Sequence, residues 1–248
     1  MKDRATGRQR NEASEIAKNG GPKMAGNYDK QVFIAREIFL KFDQNELIEK
    51  FQLERDENYL YLQLLDRLCR IERKTGIIEV SRAVLPSKSE ALEIKTEAKY
   101  EECLDYNIVM TIYDVLCYPK ETPVLKGEWC PLANLQVTMS SPSADLFTQK
   151  YADAFSGKIP QLWNACEALG GRRPEIMAGA DVCWEFDVFP FFPVQLRYWD
   201  QDEEFPAQIR LLWDKNALKF MHFETLYYVV HVLLDAVEKG MQEKGDFA

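Results

Sequence analysis

Four carboxylates fall within five residues at Asp200, Asp202, Glu203 and Glu204, flanked by Trp199 and Phe205 and bracketed by Arg197 and Arg210. Clustered carboxylates serve divalent-cation binding, general acid–base work, or contact with a cationic partner. The spacing is not that of an EF-hand loop, whose central glycine and terminal glutamate are missing. A plainer alternative is a hydrated loop in which the arginines moderate repulsion between the acids. The two large aromatics beside the acids point instead to a contact surface. Arg197, Trp199, Asp200, Asp202, Glu203, Glu204, Phe205 and Arg210 are therefore the candidate ligand- or partner-binding residues. No catalytic residue and no metal-ligand set can be assigned.

Other chemistry is thinner. His222 and His231 are the only histidines, and nine residues of helix would set them about two and a half turns apart, unable to share one metal. His231 does share a helical face with Tyr227 and Asp235, a row that can tune a base or simply satisfy a histidine at the core's edge. Cys130-Pro131 is a pair seen where thiolates ligate haem, and also an ordinary loop cysteine. Arg172 and Arg173 follow Gly170-Gly171, where guanidiniums can grip an oxyanion or cap the carbonyls of a helix end. Phosphate-loop, dinucleotide-loop, zinc and nucleophile-elbow motifs are absent, so the cofactor is unknown.

Composition removes several classes. Net charge is −9, which disfavours broad attraction to nucleic acid or anionic membranes. No apolar run approaches the roughly 20 residues of a membrane span. Six cysteines without a C-x-x-C pair, and no export signal, suit free thiols in a reducing cytoplasm. Residues 1–27 carry six Lys/Arg against three Asp/Glu and few large apolar groups, which reads as a disordered basic tail. Residues 28–248 read as a single domain.

The elements that must hold the candidates follow from periodicity. Helical stripes run through "YDKQVFIAREIFLKF" and "NELIEKF", and a leucine- and tyrosine-rich stretch with a Thr-Gly turn gives two or three antiparallel strands. A helix is expected over the segment from Ser87 onward, strongest from Lys99 to Cys117 and stopped before Pro119. Two more helices break at Ser156-Gly157, with Ser143 as a cap for the first and Gly170-Gly171 as a stop for the second. Three strands follow, with Pro190 and Pro193 at the first bend, and then a long amphipathic helix from Phe223. The class is α+β: N-terminal and C-terminal antiparallel strand groups, intervening helices and a long C-terminal helix.

Matching apolar with apolar sets a register for the last hairpin. Arg197 should face Gln208, Gln195 should face Arg210, and Leu196 should meet Ile209 in the core, around a four-residue loop from Gln201 to Glu204. Leu169-Gly170-Gly171, Pro190, Pro193, Asp200, Asp202, Glu203 or Glu204, Phe205-Pro206-Ala207 and Asp214 together resemble the domain-of-unknown-function family 3786 of bacteria and archaea, mostly anaerobes. The resemblance runs from about residue 29 to 238. It implies a fold but no established activity. Relatives joined to a cysteine-rich iron–sulfur segment imply anaerobic redox or corrinoid-linked metabolism, and this chain has no such cysteine cluster. The expected function is thus a non-catalytic accessory module in anaerobic metabolism, binding an unknown small ligand or protein partner. The alternatives are an enzyme using the carboxylates of the Asp200–Glu204 hairpin, metal-bound or not, and a structural subunit of a complex.

Overall fold

Leucines alternating with tyrosines and arginines build the first of two antiparallel sheets. The computed structural model describes residues 26–84, 98–135, 145–175 and 179–243. The first sheet is a meander of β1 (Glu54–Arg55), β2 (Tyr59–Leu64), β3 (Arg67–Glu72), β4 (Ile78–Val84) and β5 (Tyr100–Glu102), each antiparallel to the next. Leu60, Leu62 and Leu64 alternate into the main core. Tyr59 and Tyr61 take the other face, where the Arg70 guanidinium lies 4.2 Å and 3.9 Å from the ring centres of Tyr59 and Tyr100.

The second sheet has the order β6 (Trp129–Pro131), β9 (Gln208–Asp214), β8 (Phe192–Trp199), β7 (Val182–Phe189). Val182, Trp184, Phe186, Val194, Leu196, Tyr198, Ile209, Leu211 and Trp213 point to the core, each side chain contributing roughly 1.5–3 kcal/mol on full burial. The sheets are tied at Leu65, between β2 and β3, whose N–H donates to Val188 O at 2.9 Å. Leu65 holds φ +51°, a left-handed conformation uncommon for a branched apolar residue.

Six α-helices accompany the sheets among the described residues: α1 (Asn27–Phe39), α2 (Gln44–Phe51), α3 (Tyr106–Cys117), α4 (Asp145–Phe155), α5 (Ile159–Ala168) and α6 (Phe223–Glu243). Asp43 and Asp105 cap α2 and α3 by accepting from backbone N–H groups of the first turn. Leu226, Val229, Val230, Leu233, Leu234 and Val237 recur at helical spacing on α6 and are buried, and α6 packs on α3, α4 and α5. Within the described residues this is the expected α+β architecture with two antiparallel strand groups and a long C-terminal helix.

Several local expectations are corrected. The helix placed from Lys99 begins at Tyr106, because Asp105 caps it there and Tyr100–Glu102 pairs with β4 instead. The helix placed further upstream, the Ser143 cap and residues 1–25 of the tail lie outside the described residues. Pro193 sits within β8 opposite Asp187, beside a bulge in β7, rather than in the bend with Pro190. The final hairpin is shifted by two residues: Arg197 faces Arg210, Leu196 faces Leu211, Gln195 faces Leu212, and Trp199 faces Gln208. An even shift keeps every side chain on its expected face, so polarity alone cannot detect it.

The cause lies in the loop, which runs from Asp200 to Ala207. Asp200 N–H donates to the Asp181 carboxylate, and Asp202 Oδ1 accepts from Glu204 N and Phe205 N, closing a local turn. Pro206 has no N–H to offer a strand partner.

Candidate ligand site

Where the β2–β3 turn, β4, the start of α3, the end of α5 and the C-terminal half of α6 meet, they line an open cleft of about 650 Å³. Sequence dictates its walls in stages. Val232, Ala236 and Gly240 follow one another at i+4 along α6, so small or branched apolar groups face it in a row. A Cβ on Gly240 would come within 3.3 Å of the Ala165 Cβ, which lets α5 and α6 approach closely at this end. Leu65, held in its left-handed conformation, also lines the cleft.

Charged groups complete the lining. Asp105 comes from the cap of α3, Asp66 and Arg67 from the β2–β3 turn and β3, Arg82 from β4, and Asp235 and Lys239 from α6. Leu104, next to the cap, is 85% exposed at the edge, the most exposed large apolar side chain among the described residues. An apolar cleft of this size with a few charged groups has the dimensions and chemistry of small-molecule sites.

Asp235, itself exposed, links the cleft to a polar cluster with Tyr151 and His231. The Tyr151 hydroxyl from α4, almost wholly buried, donates to the Asp235 carboxylate and lies 3.0 Å from His231 Nδ1. A tyrosine hydroxyl has one proton, so with that proton on Asp235 the imidazole must present Nδ1–H to the Tyr151 oxygen. Its Nε2 then keeps a free lone pair. Burial pushes the His231 pKa below the ordinary imidazole value, and the Lys150 ammonium adds to this against the pull of Asp235 and Asp105. A neutral histidine is the consequence near pH 7. Burial, followed by the Asp235 carboxylate, pushes the Tyr151 phenol upward, so it stays protonated.

The His231–Asp235 face was legible from helical spacing, but the tyrosine was not. Tyr227, the expected third member, packs on Phe147 and Phe223 with ring centres 4.6 Å and 5.5 Å away. Tyr151 arrives from another helix, eighty residues upstream. No sequence signal short of the tertiary packing identifies it.

His222 does a different job. Its N–H donates to the Asp114 carboxylate at 2.8 Å and its Nδ1 lies 2.6 Å from the same group, as Thr225 Oγ1 also donates there. The bond to Asp114 raises the His222 pKa. This clamps the start of α6 to α3.

The acidic hairpin is divided by the fold. Asp200 turns inward and accepts from Tyr198 OH, Ser156 Oγ and the N–H groups of Gly157 and Gln201, at 2.8–3.0 Å. Burial pushes its carboxyl up, but these bonds outweigh it and hold the pKa below the usual carboxylate range. Asp202, Glu203, Glu204 and Phe205 are exposed, with Phe205 60% accessible. Trp199 is half-buried, its Nε1 donating to Gly179 O at 2.9 Å. Among the described residues no three His, Cys, Asp or Glu side chains are placed to share a metal ion.

The remaining motif residues are held by the architecture. The buried Asp214 carboxylate accepts from the N–H groups of Lys126, Gly127 and Asn216 at 2.7–2.9 Å, closing the end of β9. Arg172 grips a carboxylate, as its type allowed, but it is the protein's own Asp187, at 2.6 and 2.9 Å. Arg173 stacks 3.8 Å from the Trp163 ring centre, so neither arginine caps the helix end. Cys130 is buried opposite Trp213, and all six cysteines are free. Burial raises each thiol, to about 11 at Cys103 and about 12 at Cys117. Thiols so shifted are poor nucleophiles.

Two antiparallel sheets packed with helices, and a charged and apolar cleft between the first sheet and α3, α5 and α6, define an α+β protein. The family model described as domain of unknown function (DUF3786) matches residues 43–236, and the chain belongs to that family. Neither the curated proteins nor the solved structures gave a match.

Proposed function

We propose that the chain is a small-ligand-binding accessory module and that its ligand occupies the cleft between the β2–β3 turn and α6. The observation that carries this reading is the cleft of about 650 Å³, apolar along α6 and Leu65 and charged at Asp66, Arg67, Arg82, Asp105, Asp235 and Lys239. That lining suits an amphipathic molecule with an apolar body and charged ends. Six free, mostly buried cysteines support the reducing, cytoplasmic setting expected from the sequence, and the anaerobic setting belongs to the same proposal. No helix among the described residues is long and apolar enough to cross a membrane.

The test is native mass spectrometry of the intact protein beside an Ala236→Trp variant, whose indole fills the cleft from α6. A bound mass on the parent, lost from a variant with an unchanged melting temperature, supports the reading. Equal ligand on both proteins removes the cleft from consideration.

One observation favours proton-transfer catalysis as a second reading. Asp235 lies in the cleft wall and also accepts from Tyr151, which carries the neutral His231 behind it. Such a row can receive a proton at a carboxylate and spread the change over three groups. If this holds, Asp235→Asn and Tyr151→Phe abolish turnover of the bound molecule while leaving it bound. Ligand that is released unchanged by the parent would leave binding alone.

A further inference from the structure

The outward face of the second sheet places two guanidiniums directly opposite each other, Arg197 on β8 and Arg210 on β9. Opposed residues of antiparallel strands share a face with Cβ atoms about 4.5–5.5 Å apart, and like charges there repel. Arginines on the first sheet are treated differently: Arg70 meets Glu79 and Arg82 meets Glu101 across strands. Neither Arg197 nor Arg210 has a carboxylate within ion-pair distance among the described residues.

Arg197 is also held in place. Gln195, only 2% exposed, donates to Glu185 Oε1 at 2.9 Å and accepts from Arg197 Nε at 2.7 Å. That relay fixes the plane of the guanidinium before any ligand arrives, which lowers the entropy cost of gripping an oxyanion. Arg210 donates no hydrogen bond to a described group and lies 5.6 Å from the Trp199 ring centre. Trp199, anchored to Gly179 O, gives the pair one rigid aromatic wall.

We propose that Arg197 and Arg210 form an oxyanion site for a phosphate monoester, with Gln195 as the positioning residue and Trp199 flanking the organic part. Two positive charges, that of Arg197 held by Gln195, match a dianion, and paired guanidinium forks match phosphate oxygens in geometry. The site shares no residue with the cleft proposed above, so the two stand or fall separately.

The experiment is thermal denaturation and titration calorimetry of the full chain with phenyl phosphate, and with benzoate as the carboxylate arm, at constant ionic strength. Phenyl phosphate at ten times its Kd should raise the melting temperature of the parent by roughly 3–5 °C. Arg210→Gln, at an exposed position, should melt like the parent and bind phenyl phosphate at least about tenfold more weakly. Gln195→Leu, which keeps both charges but frees the fork, should weaken binding by a smaller factor. Absence of binding to the parent, equal binding by Arg210→Gln, or benzoate bound as tightly as phenyl phosphate would each overturn the assignment.

Discussion

Gly170 and Gly171 stand together within the residues that the family model matches, and the structure gives them unrelated reasons to be glycine. Gly170 has φ +74° with open space where a Cβ would go. Alanine there costs the left-handed penalty of roughly 1–2 kcal/mol, partly offset by about 0.4–1 kcal/mol from a less flexible unfolded chain. The net is about 1 kcal/mol.

Gly171 has an ordinary φ, but a Cβ would lie 2.8 Å from Cys166 O and 2.9 Å from both Phe186 Cε1 and Trp184 Cε3. Carbon contacts want about 3.5–4.0 Å, so three rigid neighbours would have to retreat together. The Cys166 carbonyl cannot do so freely, because it accepts the Gly171 N–H at 3.0 Å and ends α5. Overpacking costs typically 1–3 kcal/mol, and the upper end applies. Gly171→Ala should therefore lose about 2–3 kcal/mol, and for a chain of this size melt roughly 4–12 °C lower.

Chemical and thermal denaturation of Gly170→Ala, Gly170→Asn, Gly171→Ala and Gly171→Asn separate the two causes. Asparagine tolerates the left-handed region, so Gly170→Asn should be milder than Gly170→Ala, while Gly171→Asn should be at least as damaging as Gly171→Ala. A Gly171→Ala variant within about 0.5 kcal/mol of the parent would refute the steric account, as would Gly170→Ala proving the worse of the pair.

Further expectations concern the site and its supports. Asp200→Asn should cost about 1–2 kcal/mol because four donors converge on that carboxylate, whereas Glu203→Gln should change stability by under about 0.5 kcal/mol. Since the folded pKa of Asp200 is lowered, its stabilising effect is present above the unfolded carboxyl value near 3.9 and fades as pH falls through the folded one; acid titration of parent and Asp200→Asn measures this. The two histidines should show opposite signatures in melting curves from pH 5 to 9. His222, raised by Asp114, stabilises fully below about pH 6.5 and loses that contribution as pH rises through its folded pKa. His231, lowered by burial and Lys150, favours the fold above about pH 6.5 and opposes it as pH falls, so His222→Gln and His231→Gln should tilt the profile in opposite directions.

Periodicity alone determined much of the fold. Leu226 to Val237 repeat at helical spacing, and the stretch from Val182 to Trp213 marks three strands, the last two with their faces as expected, because burial of one face leaves a single consistent assignment. Sequence also isolated Arg197, Arg210 and the His231–Asp235 face by residue type and spacing. It put the hairpin register two residues off, since an even slip preserves polarity and only the side-chain bonds of Asp181 and Asp202 set the loop. Nor does sequence divide Asp200 from its acidic neighbours: the inward turn depends on Ser156 and Gly157 from another part of the chain. Tyr151 reaching His231 and the cleft beneath Leu65 arise between segments distant in sequence, and the facing of Arg197 with Arg210 follows from the register that the loop sets. Local pattern encodes which face an element buries, whereas packing of one element on another decides which side chains meet across the gap.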